Sequence, residues 1–303
     1  MMTNQNESAL AYFARMQNSQ QQEDDFYNRP EVWDERARAW EAQYGDPKSA
    51  KSEDRVQATL DYLLEQALLT PGCDVVDIGC GPGRFVAGFA RTARHVLGID
   101  FSQGMIEQAQ AYARSESLSN VSFMVRDFAQ LDIEREGLAG EFDLVLASNT
   151  PAVHGVAGLE KAMGLSRGHC LIVTQIHSEN RLESQIMREV FGHSPRPGPS
   201  GQWFYAAWNL LYLLGYYPQT SYYSRRSECY VGPDYAGIFM ERMLPPDQRT
   251  PESEVRIRKW LGAHAGPDGR VSELRDIKYG RILWDVRKKT RRPTYPAPGQ
   301  GGR

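Results

Sequence analysis

Basic charge is not in excess in this chain. Its 35 Lys and Arg face 38 Asp and Glu, for a formal net charge of -3. Such a balance leaves no overall basic footprint, so nucleic acid is not the default partner. Cysteine is sparse: Cys73, Cys80, Cys170 and Cys229 are scattered without a close pair. That argues against a zinc site and against a disulfide framework, and no metal is expected. Long apolar runs are missing. The most apolar stretch, residues 203–217, contains Asn209 and is too short to span a bilayer. Residues 1–25 are rich in Gln, Asn and Glu and lack the apolar segment of a secretory signal. There is no internal repeat. These absences lead to the expectation of a soluble, cytoplasmic protein. With 303 residues, the chain can form one large domain with additions, or two small ones, around a sizeable core.

What the chain does have is one organising stretch, Val75-Val76-Asp77-Ile78-Gly79-Cys80-Gly81-Pro82-Gly83-Arg84-Phe85. An apolar run ends at an acid and its neighbour, and then glycines fall at alternate positions. An apolar, small-residue segment follows to Ala93. This pattern predicts a buried strand, a tight turn and a helix start. Without a Cβ, the turn backbone can fold sharply and approach a ligand closely. The helix behind it presents free N–H groups and its positive dipole end to an anionic part of that ligand. A second acid, Asp100, ends the next apolar run, Val96-Leu97-Gly98-Ile99. Two acids at two strand ends beside a glycine loop suggest a ligand that contains a nucleoside.

Along the chain, residues 1–25 read as disordered or loosely helical. Residues 26–44 carry Trp33, Ala37, Trp40 and Tyr44 at helical spacing, and Gly45-Asp46-Pro47 ends that helix. A second helix is expected over 52–69. From the glycine stretch onward, strands at 96–100, 121–125, 142–147 and 170–176 alternate with helices at 102–115 and 158–165. Ser102 is the N-cap expected for the first of these helices. Unbroken apolar strands alternating with helices predict an α/β fold, with an open, mostly parallel sheet covered on both faces. Ligands in such sheets bind at the carboxyl ends of the strands. Asp77, Asp100, Asp127, Ser148 to Pro151 and His177 all fall at that edge. Further on, helices are expected at 178–191, 202–215 and 252–261, and strands at 219–226 and 281–287. Residues 178–218 and 232–275 read as lid-like insertions, and 288–303 as a disordered tail.

The ordered motifs resemble those of class I S-adenosylmethionine-dependent methyltransferases. Asp77-Ile-Gly79-Cys-Gly81-Pro-Gly83 resembles their first motif. Gly98-Ile99-Asp100-Phe101-Ser102, with Met105 three residues on, resembles the second. Asp127 after the third strand and Phe142-Asp143-Leu144-Val145 entering the fourth also match. The resemblance covers residues 56–178 well and the last strand loosely. It implies a Rossmann-like sheet of seven strands, with a cover helix over 26–51 and the methyltransferase domain over 52–287. The implied cofactor is S-adenosylmethionine. By the resemblance, Gly79, Cys80, Gly81 and Gly83 pass its methionine portion, with Asp77 near the amino group. Asp100 takes the ribose hydroxyls. Phe101, Ser102 and Met105 lie by the adenine, where Asp127 accepts from the amino group and Phe128 packs. Ser148 or Asn149 stands beside the sulfonium, and Trp33 belongs to the cover.

A nicotinamide-dependent oxidoreductase is the competing reading, because Asp100 stands at the distance expected of a ribose-binding acid. Two features oppose it. The dinucleotide pattern has glycine at its sixth place, where Arg84 stands, and Asp77 would set a carboxylate near a pyrophosphate. Methyl transfer from a sulfonium needs alignment more than acid–base help. His154 and His177 are the candidates if a base is used, although a structural hydrogen bond is the plainer reading of each. Asn149-Thr150-Pro151-Ala152 is similar to the Asn/Asp-Pro-Pro-aromatic motif of amino-group methyltransferases but departs from it at Thr150 and Ala152, so a strand-ending turn set by Pro151 is the plainer reading. The aromatics from Trp203 to Tyr223 suit core packing and also a pocket for an apolar small molecule. The expected reaction is methyl transfer to an oxygen or nitrogen of a small molecule. A cofactor-binding protein without turnover and an RNA or protein methyltransferase are the alternatives.

Overall fold

Five residues, Asp74–Ile78, form strand β1, and Val75, Val76 and Ile78 are fully buried in it. Each such side chain contributes about 1.5–3 kcal/mol on leaving water. A strand this apolar on both faces belongs in the middle of a sheet. In the computed structural model, β1 pairs in parallel with β2 (His95–Asp100) on one side and β4 (Phe142–Ser148) on the other. Beyond them lie β3 (Val121–Val125), parallel to β2, and β5 (Ser166–Asn180), parallel to β4. With β6 (Gln219–Val231) and β7 (Val271–Asp285), the sheet has seven strands in the order β3-β2-β1-β4-β5-β7-β6. The chain leaves β1 toward one edge and returns at β4 on the other side. That reversal opens a crevice beyond the carboxyl ends of β1 and β4.

The structure describes residues 4–22, 29–34, 37, 50–194 and 201–290. The helices are α1 (Asn4–Gln22), α2 (Ala50–Glu65), α3 (Arg84–Ala90), α4 (Gln103–Ser115), α5 (Gly155–Leu165), α6 (Arg181–Phe191), α7 (Gln202–Leu213), α8 (Tyr235–Met243) and α9 (Pro251–His264). Residues 30–34 are also helical. Trp40, Tyr44 and Gly45-Asp46-Pro47 lie outside the described residues, as does the tail from 291. No helix among the described residues is long and apolar enough to cross a membrane.

Two compact units share the chain. One takes the residues up to Thr174, Gln202–Ser221 and those from Gly280 on; the other takes Gln175–Gly201 and Tyr222–Tyr279. These bounds differ from the expected insertions at 178–218 and 232–275. Helix α7 groups with the first unit, because its buried face of Phe204, Ala206, Ala207, Leu210 and Leu211 packs against α1 and α5. The polar segment 1–25 is correspondingly not loose over 4–22: α1 is a helix with Leu10 and Gln17 buried.

The second unit has its own core, built from α6, α8 and α9 around Ile186, Phe239 and Ile257. It also contains two features not expected from the sequence. Helix α8 stands where loops were expected, and β7 begins at Val271 rather than at 281. The reason is Glu273, which is buried on β7 with Asn180, Cys229, Tyr235 and Arg275 all donating to its carboxylate. A charged strand whose buried acid pairs with its own Arg275 and with hydrogen-bond donors far along the chain has no apolar alternation to read.

Candidate active site

The glycine loop is stitched to the end of β2. Gly79 and Cys80 both donate to the Ile99 carbonyl, at 2.7 and 3.0 Å. Gly79 has φ +69°, and a Cβ there would stand 2.1 Å from Thr150 Oγ1 at the tip of β4. No other residue fits that spot without moving the tip. Gly83, at φ +78°, begins α3, and a Cβ on it would meet Ala109 Cβ at 2.8 Å. Gly81 points the remaining turn into open space.

Asp100 closes the loop from the other side. Its Oδ2 accepts from Gly81 N at 2.9 Å and its Oδ1 from Ser102 N at 3.0 Å. Ser102 caps α4 as expected, accepting from Met105 N at 3.0 Å. It also donates to Asp34 Oδ1 at 2.5 Å, and Asp34 accepts from Gly104 N at 2.9 Å. Asp34 therefore ties the 30–34 helix to the start of α4 and sets Trp33 in the wall of the cleft.

That cleft has a volume of about 280 Å³. One end is walled by Trp33, Phe101, Asp127 and Phe128, the middle by Gly79, Gly81 and Asp100, and the other end by Asn149, Thr150, Pro151, Ala152 and His154. Of the residues expected at the site, Asp77, Cys80, Gly83, Ser102, Met105 and Ser148 stand buried behind this lining. His177 is not among the lining residues. The strand expected to end at 176 runs on to Asn180, so His177 lies within β5, on its part in the second unit.

Asp77 is only 2% exposed, and its Oδ1 has no hydrogen-bond partner among the described residues. Burial pushes its carboxyl up to about 8, with the Arg55 guanidinium opposing the shift and Asp100 adding to it. Burial also raises the Asp100 carboxyl, while the Ser102 and Gly81 N–H groups hold it down. A buried carboxyl oxygen with no partner among the described residues is suited to a cation, which favours its ionised form, where a pyrophosphate would disfavour it. The donor set therefore fits S-adenosylmethionine, which carries both a cationic group and a ribose.

At the far end, His154 Nδ1 lies 3.0 Å from the Pro151 carbonyl oxygen. A carbonyl only accepts, so Nδ1 carries the proton and Nε2 of the neutral ring carries the lone pair. Three residues of the site had no signal in the sequence. Asp34 acts across 68 to 70 positions. Arg126 lines the cleft while donating its backbone N–H to the Asp100 carbonyl. Lys161 donates to the Phe128 and Ala129 carbonyls at 3.0 and 2.6 Å and so fixes the loop after β3.

Comparison with known proteins agrees with this geometry. The family model described as "Methyltransferase domain" matches residues 69–191. A 23S rRNA (uracil(1939)-C(5))-methyltransferase of Alkalilimnicola ehrlichii is 32% identical over 114 residues, 37% of this chain and 25% of that relative. The chain thus spans about a quarter of the length of the rRNA methyltransferases it matches. A ubiquinone biosynthesis O-methyltransferase of Acinetobacter baylyi is 31% identical over 86 residues, 28% of this chain and 35% of the relative. An uncharacterized protein of Haemophilus influenzae is 23% identical over 262 residues, 85% of this chain and 88% of its own. Residues 69–191 of this chain are a methyltransferase domain.

Proposed function

We propose that this protein transfers the methyl group of S-adenosylmethionine to an oxygen or nitrogen of a small molecule. The observation that carries the reading is the division of the cleft. Its nucleoside end and Asp77 suit the donor, and its other end presents a histidine whose Nδ1–H is pinned to Pro151. When bound, the cofactor supplies a methyl carbon already activated by a positive sulfur, which leaves as a neutral thioether.

The protein's own work is alignment and exclusion of water, and alignment alone can supply ~7–11 kcal/mol. Asp100, which already accepts from Gly81 and Ser102, would hold the ribose, and Asp77 would hold the ammonium. Phe101, Phe128 and Asp127 would hold the base. Thr150, packed on Gly79, fixes the distance between loop and β4 tip. His154 takes the acceptor's proton at Nε2 as the new bond forms.

The rRNA relatives raise a second reading, methylation of a pyrimidine carbon. A ring carbon is a poor nucleophile unless a protein nucleophile first adds to the ring. All four cysteines lie among the described residues, and none lines the cleft. Burial also pushes the Cys80 thiol well up, away from the reactive thiolate. A heteroatom acceptor therefore fits better.

The test is transfer of labelled methyl from the cofactor into a fractionated cell extract. Label in the small-molecule fraction supports the proposal; label confined to RNA overturns it in favour of the second reading.

A further inference from the structure

Gln17, on α1, is fully buried, yet it uses only half of its carboxamide. Its Oε1 accepts from the Gly155 N–H at 2.6 Å across 138 positions. Its Nε2 is buried without a hydrogen-bond partner among the described residues. A buried amide donor left unsatisfied is costly, and a methionine or leucine would pack there without that cost. The contact with Gly155 is what the carboxamide provides in return.

That contact sits beside the reactive end of the cleft. His154 is the N-cap of α5, and it makes no side-chain cap for its own helix. The first N–H groups of a helix have no partner within it, so Gly155 N–H must find one elsewhere. Gln17 supplies it. Gly155 has φ +64°, and without a Cβ it restrains the His154–Gly155 peptide less than any other residue would. Anchoring its N–H fixes that peptide plane and, through it, the backbone from which the His154 ring reaches Pro151.

We infer that Gln17 is a positioning residue for His154, so that α1 is part of the acceptor end of the site. The inference rests on the role proposed above for His154. Holding the ring fixes which nitrogen carries the lone pair and where it points. Loss of the anchor therefore reduces transfer and leaves cofactor binding intact, because the residues assigned to the cofactor lie outside α1.

The experiment compares wild type with Gln17→Met and Gln17→Glu. Gln17→Glu keeps an acceptor oxygen for Gly155. Two readouts are taken: nitrogen NMR of the His154 ring, assigned with His154→Gln, and S-adenosylhomocysteine affinity by calorimetry. The expected wild-type ring is the Nδ1–H tautomer. Gln17→Met gives a mixture of tautomers with affinity unchanged within twofold, and Gln17→Glu restores the single tautomer. Where extract methylation is observed, its rate falls at least tenfold in Gln17→Met. A His154 spectrum identical in wild type and Gln17→Met overturns the inference, as does an affinity that falls in step with the rate. If the wild type shows no transfer, the proposed function fails, while the NMR comparison still decides the role of Gln17.

Discussion

Burial leaves the Asp77 carboxyl largely protonated at neutral pH, since its folded value is about 8 and an unfolded aspartate lies near ~3.9. The folded value is raised, so the ligand-free fold is most favoured below the unfolded value. That stability is lost as pH rises from about 4 toward 8. A bound ammonium reverses the preference by stabilising the carboxylate. Binding of S-adenosylhomocysteine should therefore release a proton from Asp77. Its affinity should rise by up to about tenfold per pH unit between pH 6 and 8 and then level off. Calorimetry in buffers of different ionisation enthalpy measures this directly. Asp77→Asn should bind more weakly and lose the slope; a slope that survives the substitution contradicts the assignment. Gly79→Ala makes a steric prediction. Its Cβ would collide with Thr150 Oγ1, and its φ is positive, so we expect a stability loss of roughly 1–3 kcal/mol. Thermal unfolding checks it. The double substitution with Thr150→Ser should recover little, because the Cβ of residue 150 is itself 2.6 Å away.

At the scale of elements, Asp34 ties the 30–34 helix to α4. Asp34 Oδ1 accepts from both Ser102 Oγ and Gly104 N at the start of α4. A carboxylate at a helix N-terminus is favoured by the exposed N–H groups and the dipole there. Asp34→Ala should release Trp33 from the cleft wall and weaken S-adenosylhomocysteine binding by about tenfold, the worth of one charge-assisted hydrogen bond. Trp33 fluorescence on titration reports the change, with Trp33→Phe separating its signal from the other tryptophans. In the second unit the element to perturb is β7. Burial alone would raise the Glu273 carboxyl, but the Cys229, Arg275 and Tyr235 donors outweigh it and hold it at about 2. This folded value is depressed, so its stability is present above the unfolded value near ~4.3 and is lost as pH falls toward 2. With solvent screening, the contribution is on the order of 2 kcal/mol. Glu273→Gln should therefore destabilise the unit at pH 7 and flatten its acid unfolding between pH 4.5 and 2, as followed by hydrogen exchange in α8 and β7; an unchanged acid profile would remove Glu273 from that role.

Across the whole molecule, what was legible in the sequence is what local chemistry determines. The run Val75 to Ile78 is buried on both faces, and the glycines after it take positive φ. Ser102 caps α4, and Asp100 and Asp127 reach the cleft because apolar strands end beside them. What was not legible depends on residues meeting from far apart. Gln17 finds Gly155, Asp34 finds Ser102, and Lys161 finds Phe128 only after folding. His177 was selected by a strand end that the structure moves to Asn180, because β5 continues through polar residues that pair within the sheet. Helix α7 falls in the 178–218 stretch read as a lid-like insertion, but its small residues Ala206 and Ala207 are wholly buried in its packing with the first unit. The acceptor is legible in neither sequence nor fold, because it depends on the shape of one end of a cleft rather than on a motif.

The account stands on the cleft being built for S-adenosylmethionine, and one titration tests that most directly. Calorimetry with S-adenosylhomocysteine at pH 8 should give one site per chain in the wild type. Asp100→Ala, which removes the acceptor of Gly81 and Ser102 and the one proposed for the ribose, should bind about 10–100-fold more weakly. Wild-type protein that binds nothing, or Asp100→Ala protein that binds as tightly as wild type, would contradict it.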